Sequence, residues 1–315
     1  MFGILKLGKL LWQVKTIMKP FFNYHGGKQS MATKLLTLIP EHRVYCEPFI
    51  GAGSLLFAKP FCCESNKDDY LEVVNDKLDY IINFYEQAKT NTEELFELVD
   101  SRLYSESWNK ISRKIIKDRA NYSPVEVAWA IWYKLNSSFS GAGQSFGYGK
   151  SRSMSSPFNH KIENFLVKCQ RLKDVCIHNR DAIEVIKHYD SDKTFFYIDP
   201  PYVDCDWRFY YEYSIDQYMK LIETLKQIKG KFLLSGYANE YVPSEWRYLT
   251  YETVCHSQKA EKRLNQTKPA RTEYLWFNYD LPTEQHKFNV PDTSINQNKV
   301  NPPVMRQLSL PGLFG

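Results

Sequence analysis

The 315-residue sequence contains no apolar run approaching 18 residues, so it carries no candidate transmembrane helix. No C-x-x-C pair occurs among its seven cysteines, and no H-E-x-x-H among its seven histidines. An odd cysteine count without paired spacing argues against a disulfide scaffold or a zinc site, and makes a reducing cytosol the expected setting. There is no internal repeat. Neither charge sign dominates: 41 Lys and Arg against 36 Asp and Glu leave +5, only a weak pull toward anionic partners. In Met1 to Ile17, Lys6, Lys9 and Lys15 break any signal-peptide core and no small-residue cleavage site follows. That stretch reads as an amphipathic surface helix, or as an upstream extension if translation begins at Met18.

What is present is ordinary globular material: 43% apolar and 24% charged residues, which excludes wholesale disorder. The length suggests about two domains at roughly 150 residues each. Aromatics reach 15%, which fits a Tyr-rich composition at large or stacking against bases at a few positions.

Five regions separate by pattern, the N-terminal extension 1–17 being the first. Residues 18–90 read as loop, helix, strand, turn, then strand and helix again. A helical stretch opens at Gly26-Gly27-Lys28 and ends near Pro40; Val44 to Cys46 and Leu71 to Val74 are strands; Leu78, Ile81, Ile82 and Tyr85 share a helix face. Residues 91–165 break the rhythm, with helical patterns at 92–104 and 125–135, a basic stretch at 107–120 and a Gly/Ser-rich hairpin or loop at 137–150. Alternation returns over 166–282, with strands at Thr194 to Ile198 and Lys231 to Ser235. Tyr251 to Cys255 and Glu273 to Tyr279 form a candidate antiparallel pair. The polar stretch 283–315 reads as a flexible tail. Strand–helix alternation on both sides of an insert predicts an α/β fold: a doubly wound, mostly parallel sheet, with a discontinuous domain of 18–90 and 166–282 and an inserted, mainly helical unit of 91–165.

The sharpest chemical signal is Asp199-Pro200-Pro201-Tyr202, directly after an apolar strand. At roughly 5% per residue type, an exact tetrapeptide arises by chance in on the order of 0.002 chains this long. Ligands bind at the carboxyl ends of strands in open α/β sheets. A carboxylate and a rigidly held carbonyl suit an exocyclic aromatic amine, a poor nucleophile whose lone pair must be pulled out of conjugation. Tyr202 adds a face for stacking. The second signal is Glu47-Pro48-Phe49-Ile50-Gly51-Ala52-Gly53 between strand and helix, where two glycines let backbone approach a ligand. Asp76, ending the next strand, is placed to hold a ribose diol, or to cap the following helix.

Together these motifs resemble the Dam-like class of S-adenosylmethionine-dependent DNA adenine-N6 methyltransferases. The resemblance covers about residues 20–280. It includes Tyr24-His25-Gly26-Gly27-Lys28, the Glu47–Gly53 loop, Asn75-Asp76, Asp199 to Tyr202, and Arg271-Thr272-Glu273-Tyr274-Leu275. It implies a Rossmann-like catalytic domain, S-adenosylmethionine as cofactor, double-stranded DNA as partner and no metal. The implied reaction is methyl transfer to N6 of a flipped-out adenine, by a bacterial or phage-encoded enzyme of the cytoplasm acting at the nucleoid. Residue by residue, it implies that Tyr24, Lys28, Phe49, Gly51, Gly53 and Asp76 line the cofactor pocket, with Lys28 near the cofactor carboxylate. Asp181 matches a weaker motif at the adenine edge, though capping of the helix at 182–188 explains it equally. Asp199, Pro200 and Tyr202 would be catalytic, and the insert would read the target.

The insert departs from the family pattern at Leu135-Asn136-Ser137-Ser138-Phe139, where an Arg is missing; this bears on the target sequence and leaves the reaction. Lys134, Asn136, Lys150 and Arg152 are the candidate DNA contacts, against a solvated polar hairpin. The basic stretches 107–120 and 257–272 are phosphate grips or plain solvated faces. Gln307 to Phe314 resembles the short peptides that bind bacterial sliding clamps, or is a segment folding back on its own domain. The rival activities are cytosine-N4 methylation, which usually has Ser in place of Asp199, and glutamine methylation, which usually has Asn. An inactive DNA-binding relative, or adenosine in RNA as substrate, completes the alternatives.

Overall fold

The computed structural model describes residues 17–24, 26–60, 70–138, 143, 145–149, 153–202, 213–254, 270–282 and 305–307. A short helix α1 (Ala32–Leu36) leads to β1 (Val44–Glu47), α2 (Ser54–Ala58), β2 (Leu71–Asn75) and α3 (Asp79–Thr90). Next come α4 (Thr92–Asp100), α5 (Glu106–Lys117), α6 (Pro124–Ser137), α7 (Ser155–Glu163) and α8 (Phe165–Arg171). The sheet resumes with β3 (Val175–His178), α9 (Ala182–Tyr189), β4 (Thr194–Ile198), α10 (Ile215–Gln227), β5 (Lys231–Tyr237), β6 (Arg247–Val254) and β7 (Ala270–Phe277). A last strand, β8 (Met305–Gln307), pairs antiparallel with β6. It lies inside the stretch expected to be a flexible tail, and gives the outer side of β6 a backbone partner. Beyond Gln307 the clamp-like segment lies outside the described residues.

Strand order is β3-β2-β1-β4-β5-β7-β6-β8. β3, β2, β1, β4 and β5 run parallel, as alternation with helices requires; β7 is antiparallel to both β5 and β6. The expected pair of C-terminal strands forms, with Tyr251 opposite Glu273. β4 is buried along its whole length, as a central parallel strand must be. Its period of two splits the core: Phe195 and Tyr197 face one apolar cluster, Phe196 and Ile198 the other.

Helix α3 buries Ile81, Ile82 and Tyr85 of the expected face, with Phe84 and Ala88 beside them, while Leu78 falls just before the helix as its N-cap. It packs on α6, whose start is fixed by a capping box of Ser123 and Glu126 with Pro124 in the first turn. Trp132 on α6 touches Phe165 at 6.0 Å between ring centres, and Phe165 meets Phe21 at 5.0 Å. Helices 91–165 therefore share one continuous core with the sheet. The helix expected from Gly26 to Pro40 shortens to five residues, because a turn closed by Gly27 N–H on Tyr24 O holds the Gly-Gly-Lys segment out of helix.

Candidate active site

The sheet has its topological switch between β1 and β4: the chain winds outward through β2 and β3, then returns to β4 and β5. At that point adjacent strand ends diverge and leave a crevice. Here the crevice is a cleft bounded by Glu47 at the end of β1, Asp76 after β2, Asp199 after β4, Tyr237 at the end of β5 and Glu273 on β7. Tyr24, Lys28, Phe49, Gly51, Pro200 and Tyr202 line it too. Gly53 and Asp181 do not. Gly53 has φ +68° and is the N-cap of α2; Asp181 caps α9, accepting from Ile183 N–H at 2.9 Å.

The glycine loop is held from beneath by Asn75, which is fully buried. Its amide donates to Pro48 O and Arg180 O and accepts from Arg180 N–H, tying together the chain after β1, β2 and β3. Asp76 then receives Gly51 N–H on one oxygen and Leu78 N–H on the other, both at 3.0 Å. At Gly51 φ is +47°, and a Cβ there would meet the Tyr24 ring at 3.3 Å. Only glycine serves both demands. Burial lifts the Asp76 carboxyl to about 6, and its backbone donors offset part of that. Glu47, almost wholly buried, accepts from Tyr45 Oη at 2.6 Å; burial lifts its carboxyl to about 8, so it is protonated at neutral pH.

Across the cleft, Lys28 Nζ lies 3.0 and 3.1 Å from the two oxygens of Asp199 and 3.7 Å from Glu273. Burial alone would pull this ammonium down, but the two carboxylates hold it above its ordinary range. Lys28, expected beside a cofactor carboxylate, is thus turned onto Asp199 and Glu273. It is the one cation among the described lining residues, and two acids face it. Ser235 donates to Asp199 Oδ1 at 2.6 Å, which follows from the pairing of Ile198 with Leu234. Tyr202 Oη lies 3.2 Å from Asp199 Oδ1 and 3.1 Å from Glu273 Oε2, so its single proton serves one of them at a time. Tyr251 donates to the same Glu273 oxygen. Among the described residues Asp199 Oδ2 receives only Lys28, so it keeps capacity for one further donor.

Most of the residues expected at the site meet in this cleft. Part of its acid side is given no role by the motifs, because Ser235, Tyr251 and Glu47 carry no local signal of one. For Glu273 the available signal is a lone acid amid Tyr274, Leu275, Trp276 and Phe277. Of the candidate DNA contacts, Lys134 is half-buried, and burial followed by the Arg113 charge lowers its pKa. Asn136 donates to Phe21 O and accepts from Lys161, so its amide is engaged inside the protein. Lys150 and Arg152 lie outside the described residues, as does most of 257–272. The 107–120 stretch is α5 and the turn after it, where Lys110 pairs with Glu106 and Arg119 with Asp79. The expected hairpin is marked by a bridge between Ser138 and Phe146.

The cleft holds four carboxyl groups, of Glu47, Asp76, Asp199 and Glu273, against one ammonium. Even with Glu47 neutral it favours a cationic ligand. It also offers a carboxylate to a diol at Asp76 and apolar surface at Phe49, Ile50 and Leu78. Among the described residues no group of side chains has metal-binding geometry, and no helix is long and apolar enough to cross a membrane.

Residues 24–262 match the model of one protein family, described as D12 class N6 adenine-specific DNA methyltransferase. The chain is 25% identical over 253 residues to the type II methyltransferase M1.LlaDCHI of Lactococcus lactis subsp. cremoris, covering 74% of this chain and 85% of that one. It is 26% identical over 195 residues to a DNA adenine methylase of Vibrio cholerae serotype O1, covering 58% and 65% of the two chains. It is 25% identical over 207 residues to the type II methyltransferase M.MjaIII of Methanocaldococcus jannaschii, covering 58% and 69%.

Proposed function

The chain belongs to the D12 class of N6 adenine-specific DNA methyltransferases, and from that premise we propose that its cleft seats S-adenosylmethionine beside one adenine turned out of the duplex. The carrying observation is that Asp199, Gly51 and Asp76 open into one cleft although they come from three separate strand ends. The residues fit the cofactor: a net acidic cleft for a cation, Asp76 for ribose hydroxyls, and Phe49, Ile50 and Leu78 for the adenine ring. When bound, S-adenosylmethionine supplies a methyl group on a positively charged sulfur. A base still stacked and paired cannot bring its amino group into the cleft, so flipping is required.

Asp199 Oδ2 and the Pro200 carbonyl would accept the two amino hydrogens and turn the nitrogen lone pair toward the methyl group. Pro200 and Pro201 fix the backbone that aims this carbonyl. Tyr202 would stack on the base while Glu273, which itself accepts from Tyr251, holds its hydroxyl. Lys28, bound to both Asp199 oxygens, holds that carboxylate in place with Oδ2 turned to accept. Asp181 would approach the cofactor's adenine edge only beyond its capping bond. The unit 91–165 would read the target, with Lys134, Lys150 and Arg152 toward DNA and Asn136 shaping the loop base. Gln307 to Phe314 remains the candidate contact for a sliding clamp.

Asp199→Ala is expected to abolish methylation of DNA while S-adenosylmethionine still binds with an affinity within a few-fold of the parent. Sequencing that maps N6-methyladenine in cells expressing each form gives the target as well; full methylation by the variant would remove Asp199 from the reaction.

A further inference from the structure

We propose that Lys161 and Lys168, with Lys19 beside them, form a second anion site that grips a backbone phosphate of the DNA, apart from the cleft that takes the base. The proposal rests on the methyltransferase reading, because it takes duplex DNA as the ligand.

Lys168 lies on α8 and is only 4% exposed. Its ammonium sits 5.7 Å from the centre of the Phe21 ring, and among the described residues it has no hydrogen bond and no ion pair. Lysines this far buried are ordinarily paired, and the Lys168 ammonium, which is not fully enclosed, keeps an opening to solvent. Lys161, on α7, donates to Asn136 Oδ1 at 2.6 Å. The other end of the same amide donates to Phe21 O at 3.0 Å. Asn136 therefore ties Phe21 to Lys161 of α7, and Lys168 of α8 lies against the ring of the same Phe21.

No described carboxylate offsets them. Glu163, the acid at the end of α7, is turned onto His160 at 3.1 Å. Burial pulls the Lys161 amine down to about 8, with Lys19 adding to it. Burial does the same to Lys168, again to about 8, with Lys161 and Lys19 adding. Cations gathered without a counter-ion destabilise one another, and a phosphodiester would relieve that with charge-assisted hydrogen bonds. A purely structural role would be served better by Leu or Met at position 168.

The place favours DNA over a free anion. Asn136 stands two residues before the Ser138–Phe146 bridge, at the base of the loop expected to read the target. Phe21 is three residues from Tyr24 of the cleft. Three residues span at most about 11 Å. That is about three steps of a strand at roughly 3.4 Å each.

The test is binding of a duplex of about 30 base pairs, of arbitrary sequence, between about 50 and 200 mM salt. Lys161→Gln and Lys168→Met are each expected to lower the slope of log K against log salt by about 1, and to weaken binding about tenfold at the lower salt, whatever the sequence. Affinity for S-adenosylmethionine should stay that of the parent. Should Lys168→Met fail to fold, Lys161→Gln, on a half-buried side chain, carries the test alone. Parent slopes in the folded variants would overturn the proposal. So would inorganic phosphate raising the melting temperature of the parent and not of the variants, with DNA slopes unchanged, because the site would then take free phosphate. If the parent binds DNA with the steeper slope yet methylates none, the reaction falls and the phosphate site stands.

Discussion

Two buried carboxyls facing the cleft titrate within the working range, and they have opposite consequences. Glu47 is raised by burial to about 8 from an ordinary 4.5. A raised carboxyl stabilises the fold fully below its unfolded value, and that contribution is lost as pH rises through the folded one. Stability should therefore fall between about pH 4.5 and 8 by up to about 1.4 kcal/mol per unit from this group. Glu47→Gln imitates the protonated form, so denaturant unfolding across that range should show a flatter profile; an unchanged slope would assign the charge elsewhere. Asp76 is raised by burial to about 6. Its ionised form accepts hydroxyl protons, so affinity for S-adenosylmethionine should drop as pH falls below about 6, by up to tenfold per unit. Calorimetric titration of the parent and of Asp76→Asn checks this, with the variant weak and flat throughout.

Helix ends and tight turns decide how elements present these groups. α6 begins with a reciprocal Ser123–Glu126 box and carries Trp129 and Trp132 into the core. Ser123→Ala should cost about 1 kcal/mol in thermal or denaturant unfolding, since it frees one helix N–H at an exposed end. Gly51 acts differently. Gly51→Ala strains a left-handed residue and pushes the Tyr24 ring, so cofactor affinity should fall by tenfold or more while the melting temperature moves only a few degrees. A loss of folding without selective loss of binding would contradict that division.

At the scale of the molecule, one core runs from α6 through Phe165 and Phe21 to the sheet. The helices of 91–165 and the strands should unfold in a single transition by calorimetry. Trp132→Ala should lower stability by about 3–5 kcal/mol and move that one transition as a whole. Two separate transitions would show instead that the inserted helices form an independent unit.

Local pattern was enough for much of this. Short apolar runs marked β1, β2, β4 and β5, apolar spacing on one helix face marked α3, and proline, glycine and acid at strand ends marked Asp199 to Tyr202, the Glu47–Gly53 loop and Asp76. Those signals are local because backbone geometry sets side-chain direction residue by residue. It could not be read locally that Lys28 clasps an acid 171 positions away, that Ser235 supports it from the next strand, or that Glu273 enters from an antiparallel strand lodged beside β5. Only strand order and register bring these groups within hydrogen-bonding distance. Contacts across a sheet are set by which strands pair, and single-strand periodicity carries no record of the partner.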